Sequence, residues 1–415
     1  YLMSEIKRPL DGIKVVELAT FIAGPCCARY LADLGAEVIK VESPKGDPLR
    51  YTAVNEGRPF GDKEDTSYTL ENTGKKVVTL NTKSPAGREA LEKLIAQADV
   101  FITNWRQNPL KRAGLDYETL HAKYPSLVMG FVSGYGEKGP DKDLPGFDFT
   151  AYFARAGIMG TMYDASSIPM TPIAGFGDHQ VGMNLASGVL AALLRAKTTG
   201  QGDQVVVSLF HSGVWDVALF LQAAQYGDPS TQFPIRRNQI ANQLNMTHKT
   251  SDGRWFQLAM PQYDVQYNKF VTEVLGREDL VNDPRFYPQT NLQQHLDEFY
   301  QLMVSSIGAM SSDELKAAMN KADLPYAVCQ NWQELLHDQQ AWSSDILAEV
   351  QFPNGNTRTM VRTPVMFTET ELPPYERGHF LGEDTRSVLA SLGYTTEQID
   401  AMIAAGDAAD VKRIG

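Results

Sequence analysis

The chain has 415 residues, 43% hydrophobic and 21% charged, with a formal net charge of −12. That length exceeds what a single hydrophobic core fills, so two domains are expected. Its Lys/Arg runs are too short for a nucleic-acid footprint, and no apolar run reaches the ~18 residues of a membrane span, so neither partner is expected.

Residues 1–10 are polar and mixed rather than an apolar signal region, which points to the cytoplasm. Residues 13–18 (Ile-Lys-Val-Val-Glu-Leu) form a short strand pattern that turns at Gly24-Pro25. A helical pattern follows from Cys26 to Leu34, with Gly35 as its stop, and residues 37–42 make a second strand. Cys26 and Cys27 read as small core residues, and no Cys/His spacing resembles a metal site. This β-α-β unit is followed by further strands at 77–80, 100–102 and 127–132. Ser84-Pro85 caps an intervening helix whose buried stripe is Leu91, Leu94, Ile95 and Ala98. Such alternation predicts an open, doubly wound, Rossmann-like α/β sheet with right-handed crossovers.

Residues 144–177, rich in Gly, Pro and aromatics, read as functional loops, and residues 181–197 as a long helix before a strand at 205–209. The irregular stretch 226–243 reads as a linker to a smaller α+β domain, with a hairpin turn at Ser251-Asp252-Gly253. A hairpin over 346–361 and a last helix pair close the chain. The expected division is a large domain over 4–225, a small one over 226–325, and a return to the large domain over 326–415.

The first β-α turn, residues 19–25, holds one glycine, so the three-glycine dinucleotide fingerprint is absent. No Walker-type loop occurs. The informative segment is 174–183, where Asp178 opens a long apolar helix after a glycine-rich turn. Two readings stay open on the residues alone. Asp178 is either the helix N-cap, or a carboxylate kept ionised by the helix terminus and used as a covalent nucleophile. In the second reading Gly177 and Gly182 let a bulky ligand approach. His179 is not expected to form a dyad with Asp178, and His248 reads as structural.

Taken together, these segments resemble the family III CoA-transferases, the group containing formyl-CoA transferase and carnitine CoA-transferase. The likeness runs from residues 10–18 to Leu381-Gly382-Glu383-Asp384-Thr385. Its strongest motifs are Gly24-Pro25 with residues 34–42, the loop from Asn104 to Gly114, and Gly177-Asp178. The resemblance implies a homodimer of two interlocked rings, with coenzyme A as substrate and no tightly bound cofactor or metal. It makes Asp178 the nucleophile, passing through a mixed anhydride and an aspartyl-CoA thioester. It places Thr20, Phe21, Ile22 and Ala23 along the pantetheine and acyl centre, and Leu80, Lys83, Asn104, Trp105, Arg112 and Tyr135 among the coenzyme contacts. Where formyl-CoA transferase has an arginine, Ser43 stands here, and Lys45 is expected to supply that charge. The glycine-rich loop that covers the site in formyl-CoA transferase has no counterpart around residues 242–247.

Residues 134–140, 145–155 and 352–356 resemble the 2-hydroxyisocaproate and phenyllactate branch, which serves amino-acid fermentation in anaerobic bacteria. That branch implies a small carboxylic acid partner, a 2-hydroxy acid with an apolar or aromatic side chain. Phe21, Ile22, Phe147, Phe149, Tyr152 and Phe176 are the apolar set expected near it. The related 2-methylacyl-CoA racemases need a histidine directly before an aspartate, where Phe147-Asp148 stands here. A non-catalytic CoA-binding protein would have no need of Asp178.

Overall fold

A computed structural model describes residues 8–59, 61–226 and 233–414. Six parallel strands build its central sheet: β1 (Lys14–Leu18), β2 (Glu37–Glu42), β3 (Lys75–Leu80), β4 (Val100–Thr103), β5 (Val128–Ser133) and β6 (Gln204–Ser208). They lie in the order β3-β2-β1-β4-β5-β6, and Ala408–Ala409 adds an antiparallel edge against β3. Strands of a parallel sheet covered on both faces read as continuous apolar runs. The Val-Phe-Ile of β4 is accordingly buried throughout.

From β1 the chain winds outward through β2 and β3, then returns to β4 on the other side. The carboxyl ends of β1 and β4 therefore flank a switch point, where open α/β sheets bind ligands. One face of the sheet carries the helices Ala23–Asp33 and Phe176–Thr199. The other carries Pro85–Ala96, Thr385–Ser391 and Thr396–Ala405, whose Leu91, Ile95, Leu389 and Met402 share one core with Val16, Val78, Phe101 and Met129. The Ser84 hydroxyl accepts from the Gly87 amide at 3.2 Å, the cap anticipated from Ser84-Pro85.

The chain divides into two compact units. The smaller comprises Met159–Met170 and Leu219–His337, the larger the remainder. These bounds differ from 226 and 325 for two reasons. Asp164 bridges to Ile235 and pairs with Arg237 at 2.6 Å, tying 159–170 to the smaller unit. Tyr326–Val328 (β9) is a strand of its antiparallel sheet, beside Trp255–Leu258 (β8) and Thr247–Lys249 (β7). Residues 4–7, and 227–232 of the expected linker, lie outside the described residues. In the larger unit, Leu347–Gln351 (β10) and Thr357–Val361 (β11) pair as the hairpin expected there.

A buried ion network crosses the larger unit beneath the switch point. Glu17 on β1 and Lys40 on β2 are register partners joined at 2.6 Å. Lys75 on β3 reaches the other oxygen of Glu17 at 2.7 Å, and Lys40 also meets Asp47 at 2.9 Å. All four side chains are buried. Such a network is weak evidence for net stability, since desolvation offsets much of its attraction. Its members depend on one another, because removing one partner of a buried pair typically costs about 3–5 kcal/mol.

Candidate active site

Two loops from the switch point meet. The β1 turn is clamped by the loop after β4: Asn104 accepts from the Thr20 amide at 3.1 Å and donates to the Thr20 carbonyl at 2.7 Å. The next amide, of Phe21, donates to the buried Asp47 carboxylate at 3.0 Å. Phe21 has a φ of 62°, a left-handed conformation uncommon for an aromatic residue, which these bonds hold in place. Asn104 is thus committed to the turn as well as lining the cavity.

That cavity measures about 250 Å³ and is walled by residues 20–23, 104–107, 131–134, 142–147 and Leu209, with Asp178 on its surface. Phe21 and Phe147 meet edge to face on its wall at 6.4 Å. Asp178 belongs to the 24-residue helix Phe176–Thr199. The N-cap position is occupied by Gly175, at a φ of 87°, so Asp178 stands inside the first turn and is not the cap. The terminus is served instead from across the fold, where Asp148 accepts from the Gly177 amide at 3.1 Å.

The electrostatics correct the expectation that the helix terminus keeps Asp178 acidic. Burial, then the nearby Asp148 and Glu71 carboxylates, push its carboxyl up to about 7, against the pull of His179. His179 turns to Glu71, with Nε2 at 2.7 Å from Oε1. Burial opposes the imidazolium, but the hydrogen bond and charge of Glu71 prevail and raise its pKa. His248 is buried against the Gln243 carbonyl at 2.7 Å, within the smaller unit.

The model for CoA-transferase family III matches residues 10–385. The chain belongs to that family. The transferase is 49% identical over 393 residues to a cinnamoyl-CoA:phenyllactate CoA-transferase of Clostridium sporogenes, across 94% of this chain and 95% of that one. It is 41% identical to an (R)-2-hydroxy-4-methylpentanoate CoA-transferase of Clostridioides difficile, across 94% and 97%. The crystal structure of a CAIB/BAIF family protein from Brucella suis, 30% identical, matches with a TM-score of 0.79 across 93% of this chain and 100% of that one.

Of the residues singled out from the sequence, the transferase brings Thr20, Phe21, Ile22, Ala23, Asn104, Trp105 and Asp178 to one cavity. Lys45, Lys83 and Arg112 are exposed and lie outside its lining. Leu80 is wholly buried in the sheet core, and the half-buried Tyr135 packs near Phe210 at 6.3 Å. Arg106, Gln107 and Lys142 line the cavity without having been anticipated. The first two fall within the Asn104 to Gly114 loop, of which only Asn104, Trp105 and Arg112 had been named as contacts.

The apolar set also divides. Phe21, Ile22 and Phe147 line the cavity, whereas Phe149 and Phe176 lie outside its lining. Tyr152 is buried and donates its hydroxyl to Asp216. Gly182 serves packing and not ligand approach, because a Cβ there would stand 2.7 Å from Cys26. Gly177 is the tighter constraint: a Cβ would collide with Asp148 Oδ1 and the Tyr152 ring. Gly177→Ala in the transferase is therefore expected to shift the first turn and lower kcat by about 10²-fold, the scale of a misplaced reacting group. A rate at the wild-type level would contradict this placement.

Proposed function

We propose that the transferase exchanges CoA between an acyl-CoA and a free 2-hydroxy acid with an apolar or aromatic side chain, with Asp178 carrying the acyl group. The observation that carries this reading is a partly buried carboxylate on the cavity surface, made basic by its surroundings. A carboxylate of raised pKa is a stronger nucleophile once ionised. Asp143, the other carboxylate on the cavity, is exposed to water.

The steps balance without ATP. Asp178 attacks the thioester carbon, the C–S bond breaks, and CoA departs as thiolate, leaving an acyl-aspartyl anhydride. The thiolate attacks the aspartyl carbonyl, which releases the donor acid as carboxylate and forms an aspartyl-CoA thioester. The incoming carboxylate attacks that thioester, its C–S bond breaks, and CoA thiolate leaves a second acyl-aspartyl anhydride. The thiolate attacks the acyl carbon of this anhydride, forming the new acyl-CoA and releasing Asp178 as carboxylate, so that overall one thioester replaces another.

The choice of acid rests on the relatives and on the wall formed by Phe21, Ile22 and Phe147. An apolar side chain placed there gains roughly 25 cal/mol per Å² removed from water. One methylene changes discrimination only about 10- to 200-fold, so a range of such acids should serve. 2-Hydroxyisocaproate and phenyllactate are expected to outpace oxalate and carnitine as acceptors from one acyl-CoA donor, with Asp178→Ala inactive towards all four. Faster transfer to oxalate or carnitine than to both hydroxy acids would contradict the substrate reading.

The same reading includes the interlocked homodimer. The smaller unit leaves Ile168 82%, Met170 75%, Leu219 79% and Tyr226 91% exposed, a set of apolar side chains that a second copy would cover. Threaded chains cannot part without unfolding, so sedimentation on serial dilution is expected to yield no folded monomer. A reversible folded monomer would contradict threading.

A further inference from the structure

Asp148 is 5% exposed, and of its two oxygens one accepts from the Gly177 amide at 3.1 Å. The other, Oδ2, is buried and has no hydrogen-bond partner. A buried carboxylate oxygen left unpaired costs free energy, and such exceptions cluster where function requires them. Its position is also built deliberately. The N-cap of the helix it serves is Gly175, which has no side chain to cap with. Only the absence of a Cβ at Gly177 lets Asp148 Oδ1 and the Tyr152 ring come as close as they do.

We propose that Asp148 is the positioning residue of the nucleophile: it supplies the cap the helix lacks and sets a second carboxyl group beside Asp178, so that the two ionise as one pair. This rests on the reading of Asp178 as nucleophile.

The surroundings favour a pair of these two. Asp178 faces Glu71 from the helix Thr66–Asn72 and His179 from its own helix, but those two engage each other at 2.7 Å. Arg29 and Cys26, from the helix Ala23–Asp33, face His179 and Glu71 respectively. Asp216 takes the Tyr152 hydroxyl and presents no cation to Asp148. Asp148 is thus the carboxylate near Asp178 that no cation pairs at short range among the described residues. Burial pushes its carboxyl up to about 6, against the backbone amides at the helix start and the charge of His179. Its own charge is second only to burial in raising Asp178. Two carboxyl groups so placed lose their protons in macroscopic steps that belong to both.

The device has a chemical use. A like charge makes Asp178 more basic, and so a better nucleophile, than the helix terminus alone would allow. The cap and the charge are separable by substitution. Asp148→Asn keeps an oxygen to accept from Gly177 and removes the charge, whereas Asp148→Ala removes both.

The test follows the acid limb of transfer activity between pH 5 and 9 in the full-length protein, beside infrared titration of the Asp178 carboxyl. The Asp178 band is the one missing in Asp178→Asn. Asp148→Asn is expected to move both the limb and the infrared midpoint down by about one pH unit, with a melting temperature no lower than that of the wild type. Asp148→Ala is expected to move both likewise and also to melt several degrees lower, on the order of 4 °C or more, through loss of the cap. An infrared midpoint that stays put or rises in Asp148→Asn would overturn the pair, whatever the activity. Transfer that survives in Asp178→Ala while the midpoint falls in Asp148→Asn would fault the nucleophile reading and leave the pair standing.

Discussion

Lys40, a fully buried ammonium, holds Glu17 at 2.6 Å and Asp47 at 2.9 Å, and through Asp47 it decides where the β1 turn lies. Asp47 extends its other oxygen to the Phe21 amide and to that of Leu49. Burial works against the charge on Lys40, but Glu17, Asp47 and Glu42 outweigh it, so the cation persists. The left-handed Phe21 and the wall that follows it are therefore fixed by charges that water never reaches. A hydrophobic core in the same place would hold the sheet together, but it would offer no directed acceptor for the Phe21 amide.

The opposite wall of the cavity follows a different rule. There the helix terminus is left without a cap of its own, and the cap arrives from Asp148, 29 residues earlier in the chain. The arrangement frees Asp178 from a structural duty that an aspartate in its place would otherwise perform. It also gathers carboxyl groups at one point, which lowers stability as the pH rises. Asp178 has a folded pKa of about 7, above its ordinary 3.8, so the folded state holds the proton more tightly. Stability from this group is complete below pH ~4 and is lost as the pH climbs through about 7. Sites that break local rules in this way are where proteins give up stability for chemistry.

Much of this was legible in the amino-acid order. The β-α-β alternation, the Ser84-Pro85 cap and the 346–361 hairpin depend on neighbours within a few residues, which periodicity and capping rules capture. Gly177-Asp178 was visible as a motif, but its surroundings were not. Local reasoning made Asp178 either a cap or an acid sharpened by the helix terminus. It could not register a cap from Asp148, or Glu71 and Asp148 converging on one carboxyl. Lys83 and Arg112 had the right charge for phosphates, yet both point into water outside the cavity lining, while Arg106 and Lys142 line it. Tyr152 had the right character for an acyl pocket, but its hydroxyl is taken by Asp216 and its ring packs against Gly177. Side-chain direction across a cavity is a property of tertiary packing, and spacing along the chain does not encode it.

The strained turn, the borrowed cap and the basic carboxylate all serve one claim, that Asp178 becomes covalently acylated. Intact-protein mass after brief incubation with an acyl-CoA tests it directly, with and without hydroxylamine to trap an activated aspartyl group. The account predicts an adduct of CoA mass on the wild type, conversion to a hydroxamate at Asp178, and neither in Asp178→Ala. An adduct that persists in Asp178→Ala, or an unmodified wild type that still transfers CoA, would contradict it.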